Sequence, residues 1–183
     1  MSSPTNVVYN GAFNALLKKY CFSEDNFAVF PELAETNVNV DDSPRINLTV
    51  STIAKDQFIP LLAMFIRDDR PDDEIRRYHA DTEMRYYMGS IRARYSLSSR
   101  FHGISLFGTR MRLYTLDGTM SKSQILPPPT PLPSTVANIP DNYLGREWDL
   151  DIATPDGCLA FLDIVADIKK WHAVNMDHSP HWS

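Results

Sequence analysis

Residues 58–66 form the sequence FIPLLAMFI, and RDDRPDDE follows directly at positions 67–74. An almost continuous apolar run of this length is typical of a central β-strand that is covered on both faces, although a buried helix has a similar pattern over so few residues. The acids after it suit the positive N-terminal end of a helix, with Asp69 as the cap and Pro71 in the first turn. The sequence therefore predicts a buried strand that leads into a long helix ending near Tyr95.

Shorter patterns on both sides of this stretch predict the other elements. In chain order they indicate a helix at 11–20, strands at 27–30, 45–53, 101–107, 111–116 and 124–126, and a final helix that begins at 155. We predict an α+β fold with a central mixed sheet of about five strands. The long helix and the N- and C-terminal helices are expected to pack on this sheet.

Apolar residues at helical spacing predict which helix faces are buried. Two neighbouring stripes are expected to face the sheet from the long helix: Ile75, Tyr78, Thr82, Tyr86, Gly89 and Ala93, and beside them Met84, Met88, Ile91 and Tyr95. In the final helix the expected buried residues are Cys158, Phe161, Leu162, Val165 and Ile168.

Prolines mark the expected ends of several elements. Pro31 should close the strand at 27–30, and Pro60 should lie at the start of the central strand, because proline cannot donate a ladder hydrogen bond. Residues 127–140 contain six prolines and are predicted to form a loop. Residues 173–183 are expected to be a flexible tail.

Composition and charge exclude several classes of protein. The 183 residues carry a net charge of -5 and are 43% hydrophobic, which predicts one domain over residues 1–183. No apolar run approaches the roughly 18 residues of a membrane-spanning helix, and no secretory signal is present, so we expect a cytoplasmic or nuclear protein without a membrane partner. Two cysteines argue against a disulfide framework or a cysteine zinc site, and the seven glycines form no phosphate-binding motif.

The order of these elements, with a central apolar strand leading into an acid-capped helix, resembles the core of the PD-(D/E)XK nuclease-like superfamily. The resemblance rests on residues 45–50 (RINLTV), 61–67 (LLAMFIR) and 101–114 (FHGISLFGTRMRLY). The last patch, together with residues 146–149 (REWD) and the final helix, is also similar to a set of uncharacterised proteins from mushroom-forming fungi.

In an active member, the resemblance implies an aspartate on the second strand and a Glu-x-Lys triplet on the third. Two carboxylates there hold a divalent metal, and the lysine stabilises the attacking water or the developing charge. The matching positions in this chain are Asn47, Phe65 and Arg67. An amide lacks the charge, a phenyl ring cannot ligate, and the pKa of a guanidinium is too high for base chemistry. We therefore expect no intact catalytic residues, no metal and no cofactor.

Carboxylates close to the same strand ends keep an alternative open. Asp68 and Asp69, with Asp41 and Asp42, could supply a displaced metal site. The chain would then be a metal-dependent nuclease whose carboxylates have migrated.

Between residues 84 and 116 the chain has six arginines and no acid. The six are Arg85, Arg92, Arg94, Arg100, Arg110 and Arg112. Together with interleaved tyrosines they could form a nucleic-acid-binding patch. The alternative is that they form salt bridges with the acidic residues of the N-terminal half.

The leading hypothesis from the sequence is a non-catalytic binding or interaction module, a pseudoenzyme on a nuclease-like fold that has lost its metal-binding carboxylates. Its expected partner is another protein or a second copy of the chain, and nucleic acid stays open as a partner. The displaced-carboxylate nuclease and a homo-oligomeric protein-interaction module are the two alternatives.

Overall fold

The computed structural model describes residues 4–33, 46–54, 57–67, 73–95, 100–118, 124–131 and 139–176. The helices of this part of the chain are α1 (Pro4–Leu16), which continues as a π-helical segment (Leu17–Cys21), α2 (Glu74–Arg94) and α3 (Pro155–Met176). The strands are β1 (Phe27–Leu33), β2 (Ile46–Ala54), β3 (Gln57–Arg67), β4 (Arg100–Phe107), β5 (Arg110–Asp117), β6 (Ile125–Leu126) and β7 (Leu150–Asp151).

The described strands form one mixed sheet in the order β1-β2-β3-β4-β5-β6, with β7 also paired to β5. Strands β1, β2 and β3 are antiparallel, β4 runs parallel to β3, and β4 and β5 form an antiparallel hairpin. Gly108, at the turn of this hairpin, has a φ of 61°, which glycine adopts without a steric penalty. The predicted α+β class is confirmed, with seven strands in the described residues rather than about five.

The two faces of the sheet are covered by different helices. One face packs under α1 and α3 through a mainly aliphatic core that also contains Phe13, Phe22 and Phe161, and the other packs under α2. Because side chains alternate along a strand, β3 sends Leu62, Met64 and Ile66 to the first face, and Ala63 and Phe65 to the second. The near-continuous apolar sequence of β3 is therefore explained by burial on both faces, as predicted.

The start of α2 differs from the prediction. The N-cap is Asp73, whose carboxylate accepts hydrogen bonds from the backbone N–H groups of Ile75 at 2.9 Å and Arg76 at 3.2 Å. The predicted cap, Asp69, and the predicted first-turn residue, Pro71, lie outside the described residues. Several consecutive acids can each cap a helix, so composition alone did not select the right one.

The two prolines of the early strands were also predicted wrongly. Pro31 lies within β1 opposite Leu48, because β1 is an edge strand of the described sheet and tolerates a missing donor. Pro60 is buried inside β3 opposite Ser51, where the register shifts between Val50 and Ser51. A bulge at this point accommodates the residue without an N–H.

The first predicted stripe of α2 does not face the sheet. Ile75, Thr82, Tyr86, Gly89 and Ala93 are exposed, whereas the second stripe is buried through Met84, Met88 and Ile91. The N-terminal half of the buried face is instead polar and comprises Arg77 and Asp81. An apolar periodicity cannot identify a face whose buried residues are charged.

In α3 the predicted face is partly correct. Phe161, Val165 and Ile168 are buried, while Cys158 and Leu162 are exposed. Within the described chain, no helix combines the length and apolar character needed to cross a membrane.

Candidate functional site

The C-terminal half of β3 lies between β2 and β4. Asn47 on β2 is directly opposite Phe65, and Arg67 is paired in register with Phe107 of β4. The three positions that the resemblance singles out are therefore on neighbouring strands. The side chain of Asn47 and all of Asp41, Asp42, Asp68 and Asp69 lie outside the described residues.

Phe65 is packed into the interior under α2. Its side chain is buried, and its ring contacts the ring of Tyr87 edge to face with centroids 5.2 Å apart. The hydroxyl of Tyr87 is 3.4 Å from the Thr49 hydroxyl on β2. Phe65 thus belongs to an aromatic contact between the helix and the sheet.

Arg67 at the end of β3 is also buried, and its guanidinium forms an ion pair with Glu83 of α2. The guanidinium carbon lies 6.0 Å from the ring centroid of Phe107, within the range of a cation–π contact. Both contacts hold the cation on the face of the sheet that α2 covers. Arg67 is therefore a structural cation that joins α2 to β3.

Asp81 is the centre of a second, more deeply buried charge cluster. Its carboxylate accepts hydrogen bonds from Arg85 Nε at 2.8 Å and from the Tyr114 hydroxyl at 3.0 Å, and it lies 3.0 Å from Arg112 Nη1. Arg112 also lies 3.4 Å from a carboxylate oxygen of Glu147. One buried acid therefore serves two arginines and a tyrosine, with a second acid nearby.

Cations and aromatic rings form one continuous series of contacts across this face of the sheet. Adjacent members of the series lie 5.2–6.0 Å apart, measured from guanidinium carbon to ring centroid or between ring centroids. The series is Arg67, Phe107, Trp148, Arg112, Tyr114 and Arg85. Such contacts compensate part of the desolvation of buried guanidinium groups. We call this series the cation–ring row.

The segment 139–149 is held against α2 and β4 by hydrogen bonds that are buried or partly buried. Arg77 of α2 donates to the carbonyl oxygens of Tyr143 at 2.7 Å and Asp141 at 2.9 Å. The indole N–H of Trp148 donates to the carbonyl of Ser105 on β4 at 3.1 Å. A segment without helix or strand is thereby fixed against the sheet at both of its ends.

Two buried groups have clear pKa shifts with opposite directions. Burial, followed by the Asp81 charge, raises the pKa of Tyr114 well above its ordinary value of 10.0. Burial lowers the pKa of His102, on the opposite face of the sheet, although its Nε2 lies 3.0 Å from an Asp167 oxygen that opposes the shift. The carboxylate is partly exposed and does not offset the desolvation of the imidazolium.

The six arginines of the predicted patch are spread over the molecule. Arg85 and Arg92 line one groove of about 380 Å³ with Gly89, Pro128 and Pro129. Arg112 shares Asp81 and Tyr114 with Arg85 but is only 2% exposed. The other three have separate environments: Arg94 is exposed over Tyr95, Arg100 pairs with Asp117 and Asp167, and Arg110 is exposed at the start of β5.

The described His, Cys, Asp and Glu side chains form no group of three that could hold a metal ion. His79 contacts Tyr78, and His172 contacts the ring of Phe27 at 4.7 Å. Burial raises the pKa of the Cys21 thiol. These groups are part of the packing rather than of a common site.

Asp81 was not predicted from the sequence, although a signal was present. It lies three and seven residues before Met84 and Met88, which are both buried on the same face of α2. An acid in this register, with Arg85 four residues later, predicts a buried ion pair.

Comparison of the chain with protein-family models, with curated proteins and with solved structures finds no match in any of the three.

Proposed function

We propose that this protein is a non-catalytic binding or interaction module on a nuclease-like sheet. The observed order of helix, three antiparallel strands, helix and parallel fourth strand supports the resemblance drawn from the sequence. The positions that would hold the metal are adjacent in the sheet, which supports the alignment of Asn47 with Phe65 and Arg67.

The observation that carries the proposal is that Phe65 and Arg67 both make internal structural contacts with α2. Phe65 is an interior ring packed on Tyr87, and Arg67 pairs with Glu83. Neither offers an oxygen to a divalent cation, which requires carboxylate, carbonyl or water ligands. A guanidinium beside the site would also repel a metal ion. This part of the sheet contributes stability to the module instead of catalysis.

A cleavage assay tests the proposal. The protein is incubated with Mg²⁺ or Mn²⁺ and with single- and double-stranded DNA and RNA, and we expect no metal-dependent cleavage. Cleavage that is lost in Asp68→Ala or Asp69→Ala, and retained in the control Asp163→Ala on the exposed face of α3, would support the nuclease alternative instead.

Self-association is a second candidate function, favoured by an exposed apolar group beside the edge strand β1. Phe30 and Phe58 contact each other edge to face at 5.1 Å and are 38% and 50% exposed. Ile53, opposite Phe58 in the sheet, is 50% exposed. An edge strand with exposed apolar side chains can pair with a second copy of the same chain.

Light scattering separates the two candidates. If the chain is a dimer through this edge, Phe58→Ser should yield a monomer, whereas Ile75→Ser should not, although Ile75 is similarly exposed on α2 at 48%. A wild-type monomer at the highest soluble concentration would exclude self-association through β1.

A further inference from the structure

A pocket of about 520 Å³ opens beside the segment that carries Trp148. Its lining residues are Thr130, Asn142, Leu144, Gly145, Arg146 and Glu147. The volume lies within the range of roughly 300–1,000 Å³ that is usual for small-molecule sites. One wall, Glu147, also contacts the cation–ring row through Arg112.

Arg112 is a buried cation whose N–H groups donate no hydrogen bond to a described residue. Its side chain is 2% exposed, and its Nε, Nη1 and Nη2 atoms have no hydrogen-bond acceptor among the described residues. Asp81 lies 3.0 Å from Nη1, but its oxygens already accept from Tyr114 and Arg85. The pair is close enough for ionic attraction, while its N–H bonds are not aligned for hydrogen bonding. Buried donors without acceptors are unfavourable and indicate a further partner.

Glu147 is the replaceable partner of Arg112. It is 39% exposed, it lines the pocket, and its carboxylate oxygen lies 3.4 Å from Arg112 Nη2 without a hydrogen bond between them. A surface side chain that makes one loose ionic contact is held weakly. Arg112 itself does not line the pocket, so an anion in the pocket would reach its guanidinium only by displacing the Glu147 carboxylate.

Two further features of the pocket support a ligand site. Arg146 contributes a second cation to the lining. Leu144 has a φ of 55° although its side chain is buried, a backbone conformation that is costly for a residue with a bulky side chain. Strained residues of this kind are concentrated at functional sites.

We propose that this pocket binds the phosphate group of a small ligand, which replaces the Glu147 carboxylate on Arg112 and is also contacted by Arg146. A phosphate has enough acceptor oxygens to receive two N–H bonds from one guanidinium and further bonds from a second. A carboxylate has only two oxygens and would satisfy one arginine. The site is independent of the proposed loss of the metal centre, so either proposal can fail alone.

Trp148 provides the readout, because its ring lies 5.4 Å from the Arg112 guanidinium carbon. In a Trp171→Phe, Trp182→Phe background, inorganic phosphate is titrated against tryptophan fluorescence at constant ionic strength, balanced with chloride. Glycerol 3-phosphate is the second arm, and tighter binding of either compound identifies the free anion or the ester as the preferred form. We expect a saturable change with phosphate and none with acetate.

Variants test the geometry of the site. Glu147→Gln removes the competing carboxylate and should tighten phosphate binding by about tenfold, while Arg146→Gln should weaken it by about tenfold. Arg110→Gln, an exposed arginine two residues before Arg112 and outside the pocket lining, should bind as the wild type does. No saturable response in both the wild type and Glu147→Gln, or an equal response to acetate, would overturn the proposal.

Discussion

The two faces of the sheet are both covered by helices, but they bury different types of side chain. The face under α1 and α3 is mainly aliphatic, with Leu62, Met64, Ile104 and Leu106 fully buried. The face under α2 buries Asp81, Arg112, Arg77 and Arg67 together with aromatic rings. The charges of this second face hold α2, the sheet and segment 139–149 together.

The two faces depend on different forces. Burial of apolar area stabilises the first face, so the loss of stability on truncation should scale with the volume that is removed. On the second face desolvation offsets most of the attraction within each ion pair. Removing one partner leaves an uncompensated buried charge and is therefore more damaging than removing a methyl group.

Asp81→Ala should be the most destabilising single change. It leaves the Arg85 and Arg112 cations without their shared carboxylate, which we expect to lower the free energy of unfolding by about 3–5 kcal/mol. Urea denaturation measures this loss, and Asp163→Ala on exposed α3 surface should change it by less than about 0.5 kcal/mol. A loss below about 1 kcal/mol for Asp81→Ala would mean that the charge cluster is not formed.

Leu106→Ala tests the aliphatic face in the same assay. Leu106 is fully buried in the core under α1 and α3, and its truncation should cost about 3 kcal/mol through lost burial and a cavity. The cost should be independent of salt, because no charge is involved. A strong salt dependence for Leu106→Ala would contradict the assignment of the two faces.

Tyr114→Phe should have a smaller effect that depends on pH. The lost hydrogen bond to Asp81 should cost about 1 kcal/mol at neutral pH. Since the pKa of Tyr114 is raised on folding, the unfolded chain releases this proton first, and the wild type should lose stability as pH rises above about 10. Thermal melts from pH 8 to 11 should give a shallower decline for Tyr114→Phe than for the wild type.

His102 provides the opposite pH dependence on the aliphatic face. Burial lowers its folded pKa despite Asp167, so the unfolded chain takes up the proton first as pH falls below about 6.5. We expect a small loss of stability, below about 1 kcal/mol, between pH 6.5 and 5, and its absence in His102→Gln. If His102→Gln shows the same acid profile as the wild type, another group is responsible.

Sequence patterns predicted the parts of the fold whose burial is apolar. The long run of β3 favoured a buried strand over a buried helix, and Gly108 and Thr109 marked the turn between β4 and β5. The buried face of α2 was only half predicted, because Arg77 and Asp81 are inward-facing charges that a hydrophobic pattern assigns to solvent. Their burial depends on partners distant in sequence, such as Arg112 and the carbonyl of Tyr143.

The resemblance named Asn47, Phe65 and Arg67 as positions, and it said nothing about their contacts. The partners of Phe65 and Arg67 are Tyr87 and Glu83, which come from a helix whose buried face the apolar pattern identified only in part. The burial of the six arginines could not be predicted from their spacing either. Arg110 and Arg112 are two residues apart on one strand, yet Arg110 is exposed and Arg112 is buried.

The most direct test is a titration of the protein with Mn²⁺, in which electron paramagnetic resonance measures the free ion. It asks whether the face of the sheet under α2 binds a divalent metal or contains only internal ion pairs. We predict no stoichiometric Mn²⁺ binding in the wild type. Binding of one Mn²⁺ per chain at micromolar affinity, abolished by Asp68→Ala but unchanged in Asp163→Ala, would contradict it.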